Sequence, residues 1–156
     1  RQIVFVKKDS GITIASDADL AGKVIGTQSG GTAEEYFDGE GVALRDSFAD
    51  IKKYSDYIAA FMDLENGRLD AVVADEITGR YYMSKHEGVF DALDVTVGPV
   101  STFGIGFRKD DTALRNEVQK ILDEMKKDGT TARISEHWFG KDITKTDDAP
   151  PTEKKG

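Results

Sequence analysis

Val24-Ile25-Gly26-Thr27-Gln28-Ser29-Gly30-Gly31-Thr32-Ala33-Glu34-Glu35-Tyr36 reads as an apolar strand, a glycine turn and the opening of a helix. Such a junction leaves the first backbone N–H groups of the helix without a carbonyl partner, and the helix dipole makes that end attractive to an anion. A second strand-to-helix junction follows at Leu69-Asp70-Ala71-Val72-Val73-Ala74-Asp75-Glu76. It ends in a carboxylate, Asp75, at the point where the strand stops. An anion site and an acid at neighbouring strand ends can hold a zwitterion between them, and a free amino acid is such a ligand.

Each feature also has a plainer explanation. Glycine serves many strand-to-helix turns for steric reasons alone, and an aspartate in the place of Asp75 can simply cap the helix that follows. What favours a site at Asp75 is its place at the carboxyl end of a strand, where open α/β sheets gather ligands. Gly26 and Gly31 have the spacing of a phosphate loop, but Thr32-Ala33 stands where that motif needs Lys then Ser or Thr. Nucleoside triphosphates are therefore rejected, and a smaller anion such as a carboxylate remains. Asp70 is expected to be structural, capping the turn or pairing with Arg68.

The remaining elements alternate between the two periodicities. Ile3 to Val6, Lys23 to Thr27, Ile51 to Tyr54, Asp70 to Ala74, Val95 to Val97 and Phe103 to Phe107 read as strands. Ser16 can cap a short helix through Leu20, with Gly22 as its stop. Thr32-x-x-Glu35 has capping-box spacing, so a helix is expected from about Gly31 or Thr32. Ser55 reads as the cap of the next, with Ile58, Phe61, Met62 and Glu65 on one face and Asn66-Gly67 as its end. Residues 76 to 86 continue as a helix with Tyr81, Tyr82 and Met83 packing. Asp111 caps a long helix whose stripe is Leu114, Val118, Ile121, Leu122 and Met125, ended by Gly129. A last helix carries Ile134 and Trp138, and Trp138 and the stripe read as core. From Lys141 onward the charged, proline-containing end reads as a flexible tail. Strands alternating with helices predict an α/β fold, with a mostly parallel sheet and helices on both faces.

Composition narrows the functional classes. The chain has 156 residues and a formal net charge of −8, long enough to bury a real core and poorly suited to a polyanionic partner such as nucleic acid. No apolar run approaches the roughly 20 residues that span a bilayer. The absence of cysteine removes disulfides, thiolate nucleophiles and cysteine metal sites without deciding the compartment. His86 and His137 have no second ligand at helical spacing, and neither sits near a nucleophile elbow. Gly104-Ile105-Gly106 lacks the third glycine of a dinucleotide fingerprint. No metal, no cofactor and no catalytic residue is implied.

Taken together, five stretches resemble the polar amino-acid-binding proteins of bacterial ABC importers, with the type II periplasmic solute-binding fold of family 3. Asp19-Leu20-Ala21-Gly22-Lys23-Val24-Ile25-Gly26 is similar to the family's "DL-G-KVGV" run. Gln28 to Glu35 is similar to its "Q-GTT-E" ligand loop, with Gly31 in place of the first threonine. Leu64 to Asp75 resembles "L-NGR-DA-V-D", Phe103 to Lys109 a returning hinge strand, and Asp128 to Gly140 the "DGT-I-KWFG" ending.

The resemblance implies that a ligand carboxylate rests on Gly30, Gly31 and Thr32, including the Thr32 hydroxyl. It implies that Asp75 takes the ammonium and that Gln28 helps to read the side chain. It further implies a first hinge strand over 1–8, the second ligand-binding lobe over 9–101, a returning strand and first-lobe helices over 102–140, and a tail over 141–156. Most of the first lobe would then lie outside this chain, an excised piece of a longer protein whose amino-acid affinity is weak. The stripe from Leu114 to Met125, having lost its cover, is expected to fold back or to pair two copies of the chain. The implied role is a binding protein in the periplasm or outside the cell, free or lipid-anchored, that delivers a polar L-amino acid to ABC permease subunits. The same fold serves membrane receptors as a sensor domain. A few relatives dehydrate cyclohexadienyl acids, for which Glu76 and His86 are the nearby candidates here, both expected to stand without partners.

Overall fold

The computed structural model describes residues 1–101 and 103–144. The chain divides into two compact units, Arg1–Val100 and Ser101–Gly156. The first unit is built on five strands: β1 (Gln2–Lys7), β2 (Val24–Gln28), β3 (Asp50–Tyr54), β4 (Ala71–Asp75) and β5 (Phe90–Val97). Their spatial order is β3-β2-β4-β1-β5. β2 pairs in parallel with β3 and β4, whereas β1 lies antiparallel to both β4 and β5. The sheet is thus mixed, with β2 to β5 pointing one way and β1 wedged in against them. Helical crossovers between β2, β3 and β4 make that half parallel. β1 reaches β2 through only a short 3-10 helix, Asp17–Leu20, capped by the reciprocal Ser16 and Asp19 bonds.

Helices cover both faces, and the alternation along the strands sorts the core accordingly. Val4, Val6, Ile25, Ala71, Val73, Val95 and Val97 face α1 (Thr32–Asp38), which contributes Ala33 and Phe37. Ile3, Phe5, Val72, Ala74 and Phe90 face α3 (Tyr57–Glu65), which contributes Ala60, Phe61 and Leu64. β4 is buried from Ala71 to Ala74, as a strand covered on both sides must be. A short helix, α2 (Val42–Arg45), precedes β3. α4 (Glu76–Lys85) follows β4 directly and lays Tyr82 and Met83 on the α3 face, while Tyr81 stays exposed.

Several local expectations are corrected. The cap of α3 is Asp56, whose carboxylate accepts from the Ala59 N–H at 2.9 Å, and not Ser55. That helix buries Ala60, Phe61 and Leu64, so Ile58 and Met62 point outward. Asp70 accepts from the Val24 N–H at 2.7 Å and so joins β4 to β2, while Arg68 pairs with Asp63 at 2.8 Å. β5 begins at Phe90, well before the expected Val95.

In the second unit α5 (Thr112–Lys127) and α6 (Thr130–Phe139) pack on each other through Gly129, whose φ of 80° suits glycine between them. Asp111 stands at the cap of α5 but binds Arg108 instead of the helix. Residues 103–107 form no strand. Two glycines in five give weak strand propensity, and among the described residues no strand pairs with them. On α5, Leu114 and Ile121 are exposed, and so are Ile134 and Trp138 on α6; the core role expected of Leu114, Ile121 and Trp138 is not what the structure shows. Ser135 is buried and holds the residues that follow α6, donating to the Lys141 carbonyl and accepting from the Ile143 N–H. The tail expected over 141–156 lies, from 145 onward, outside the described residues. Among the described residues no helix is long and apolar enough to cross a membrane.

Candidate functional site

The site is assembled at the carboxyl ends of β2 and β4. These parallel neighbours share the register Ile25↔Ala71 and Gly26↔Val72, so Gln28 and Asp75 emerge on the same edge of the sheet. The buried Thr27 hydroxyl donates to the Val73 carbonyl at 3.2 Å, which locks the two strand ends together one step before they open. Gln28 lies level with Tyr54 on β3, and Asp75 level with Gln2 on β1.

The loop after β2 uses its glycines as expected, with a different cap. Gly30 has a φ of +70°, which only glycine adopts without strain. Gly31, and not Thr32, is the N-cap of α1. That shift places Glu34 at the third helical position, where it reaches back to accept from the Gly30 N–H at 2.5 Å, the task expected of Glu35. The Gly31 N–H turns inward to the Gln28 carbonyl at 3.3 Å. Glu34 also holds Lys53 at 2.7 Å, and the Lys53 ammonium, with the Gly30 N–H, keeps its carboxyl below the usual range. Gly30 and Gly31 have therefore spent their N–H groups on the loop. Thr32 is exposed, and among the described residues nothing accepts from its hydroxyl. The Gln28 side chain is half-buried and donates to the Ser55 carbonyl at 3.4 Å.

Asp75 is the N-cap of α4. One of its oxygens, Oδ1, accepts from the Ile77 and Thr78 N–H groups at 3.0 and 3.3 Å. Its other oxygen makes no bond within the described residues, and the residue is half-buried at the edge of the sheet. The structural explanation for Asp75 thus holds for half of its carboxylate and leaves the other half open to a cation.

Sequence reasoning missed Tyr57. It begins α3 on the opposite face, yet its hydroxyl reaches the site. It lies beside the Asp75 backbone, and its oxygen is 3.6 Å from the place a Cβ on Gly31 would occupy. Burial raises the phenol's pKa, with the nearby Asp75 backbone opposing and the Asp75 carboxylate adding to the rise. No motif marks a tyrosine at a helix start, so only the fold reveals it.

Glu76, beside Asp75, is not free for chemistry. It is buried and bound to Arg1 and Arg80, each at 2.8 Å, and Arg1 goes on to Asp94 and Thr96. This pins the start of β1 to β4 and β5, and corrects the expectation that Glu76 stands alone. His86 stacks on Tyr82, and its Nδ1 meets the Tyr82 carbonyl at 2.9 Å. The Gln2 side chain is buried with its Oε1 unpartnered. Among the described residues no group of His, Cys, Asp and Glu could hold a metal.

Known proteins share this arrangement of elements. Residues 1–141 match the bacterial extracellular solute-binding proteins, family 3. The chain is 35 % identical over 144 residues to the L-cystine-binding protein TcyJ of Escherichia coli K12, covering 90 % of this chain and 50 % of that one. It is 32 % identical over 142 residues to ABC transporter arginine-binding protein 1 of the same strain, covering 88 % and 54 %. A polar amino acid ABC uptake transporter substrate binding protein from Streptococcus thermophilus superposes with a TM-score of 0.70 at 30 % identity, covering 92 % of this chain and 55 % of that one. The chain spans about half the length of the curated relatives it matches. With a match that runs through both units, this chain belongs to the bacterial extracellular solute-binding proteins, family 3.

Proposed function

We propose that this chain carries one half of the cleft of an extracytoplasmic solute-binding protein that captures a polar L-amino acid and passes it to ABC permease subunits. The observation that carries the reading is the pairing of opposite capacities on one sheet edge. The unused Asp75 oxygen suits an ammonium, while the Thr32 hydroxyl and the open start of α1 suit a carboxylate. Gln28, Gly30 and Gly31 shape the loop between them. The relatives named for cystine and arginine binding support an amino acid over other zwitterions. In this reading residues 9–101 are the second lobe and 102–140 bring the helices of the first. The parent protein works in the periplasm or at the outer surface, free or lipid-anchored, and it is not an enzyme.

Energetics set the affinity of the chain alone. A charge-assisted hydrogen bond contributes about 1.5–3 kcal/mol, against several kcal/mol of lost translational and rotational freedom. Half a cleft therefore binds at about the millimolar level, which corresponds to about 4 kcal/mol.

Thermal melts with each L-amino acid in excess, beside its N-acetyl and methyl-ester forms, test the reading. A ligand at about ten times its Kd adds about 1.4 kcal/mol of stability. Stabilisation by free amino acids and not by either blocked form is expected. Equal responses to all three would contradict the zwitterion site.

The α5 stripe of Leu114, Val118, Ile121, Leu122 and Met125, with Leu114 and Ile121 exposed, offers a surface on which two copies pair. Light scattering should then give twice the 17.1 kDa chain mass. A monomer at all concentrations would rule this out.

A further inference from the structure

The Tyr57 hydroxyl occupies a position that its own helix does not need. It lies at the site edge, beside the backbone of Asp75 on one side and 3.6 Å from the Cβ position of Gly31 on the other. Its ring packs against the buried cluster on the α3 face, so the ring is held and the hydroxyl carried to a fixed point. That point falls between the group suited to an ammonium and the loop suited to a carboxylate. Among the described residues no acceptor takes the Tyr57 proton. Gly31 contributes no hydroxyl of its own, and its inward-turned N–H is already used. A phenol that stays protonated across physiological pH, half-buried and with an uncommitted donor, suits an anionic oxygen placed beside it.

We propose that Tyr57 is a ligand-binding residue of this site, its hydroxyl donating to the carboxylate of the bound amino acid beside Thr32. The inference rests on the amino-acid reading above and adds to it a third element, α3, as a source of contact. It also gives the vacancy at Gly31 a purpose: a side chain there would compete with the phenol for the same oxygen.

The test is an amide NMR titration of the 156-residue chain and of Tyr57→Phe with two probes, L-arginine and L-argininamide. The amide probe keeps the ammonium and replaces the carboxylate by a neutral group. Tyr57→Phe should weaken L-arginine at least about tenfold, the size of one hydrogen bond to a charged group. The loss for L-argininamide should stay below about threefold, nearer the value of a neutral hydrogen bond. Adding Gly31→Ser to Tyr57→Phe should recover part of the loss, because the new hydroxyl enters the vacated space. Equal affinity of the parent chain and Tyr57→Phe for L-arginine overturns the inference alone. Equal weakening of both probes also overturns it, assigning Tyr57 to the support of Asp75. If neither probe moves the parent chain's amides at 28–33 and 75, the amino-acid reading fails, and this inference with it.

Discussion

Substitution of Asp75 separates its two roles, because asparagine keeps one and removes the other. Oδ1 accepts from the Ile77 and Thr78 N–H groups at 3.0 and 3.3 Å, and an asparagine carbonyl oxygen can accept both. Asp75→Asn should therefore lose only the charge–dipole part of the cap, about 0.3–1 kcal/mol. Asp75→Ala loses the whole cap, at about 1 kcal/mol and up to about 2. In a unit of this size each kcal/mol moves the Tm by about 4–8 °C, so thermal melts can rank the two variants. Binding should rank them differently. Both remove the charge from the ammonium contact, which is worth about 1.5–3 kcal/mol or roughly 10- to 150-fold in Kd. Titration with L-arginine, followed by amide shifts, gives the second axis. The expected pattern is a nearly intact fold with strongly weakened binding in Asp75→Asn. If Asp75→Asn bound like the parent chain and only Asp75→Ala melted early, Asp75 would be a helix cap and nothing more.

Three further outcomes follow from the same geometry. Burial raises the Glu76 pKa, but the hydrogen bonds from Arg1 and Arg80 more than offset it, so the group sits below its ordinary value. A carboxylate depressed on folding stabilises above its unfolded pKa, about 4.3, and that stability is lost as the pH falls through the folded value. Melts between pH 3 and 7 should show this acid-side loss, and Glu76→Gln should flatten it while lowering the plateau; an unchanged profile would refute the assignment. Gly79 lies against the Phe5 ring so closely that a Cβ would collide with it. Gly79→Ala should thus destabilise by about 1–3 kcal/mol in a urea titration, overriding the roughly 1 kcal/mol that alanine adds to a helix; a more stable variant would show that α4 can shift freely. Gln2→Met fills a similar volume and removes the unpartnered Oε1. It should raise the Tm by a few degrees, since an unmet buried acceptor costs about 1–3 kcal/mol, and a fall would reveal a partner for that oxygen.

What was legible in the sequence was local. The glycine turn at Gly30 and Gly31, the start of α1 at Thr32 and the stop of β4 at Asp75 each depend on neighbours a few residues away. What escaped was set by long-range pairing. The direction of β1 follows from its insertion between β4 and β5, and the bond of Asp70 joins it to Val24, 46 residues away. One of the two partners of Glu76 is Arg1, 75 residues away. On α3 the expected face grouped Phe61 with Ile58, Met62 and Glu65, whereas packing on the sheet buries Phe61 with Ala60 and Leu64 and turns Ile58 and Met62 outward. Tyr57 escaped with it, since only the packing of α3 on the sheet brings its hydroxyl near Asp75 and Gly31. The segment 103–107 failed as a strand because alternation alone does not make one without a partner edge.

The central claim is that one sheet edge, made from β2, β4 and the start of α3, holds the two charged ends of an amino acid. An amide NMR titration of the 156-residue chain with pooled L-amino acids at millimolar concentration tests it most directly. Saturable shifts are expected at residues 28–33, 57 and 75–78, with the rest of the spectrum still. A folded spectrum that stays unmoved at those residues, or shifts spread evenly over the surface, would contradict it.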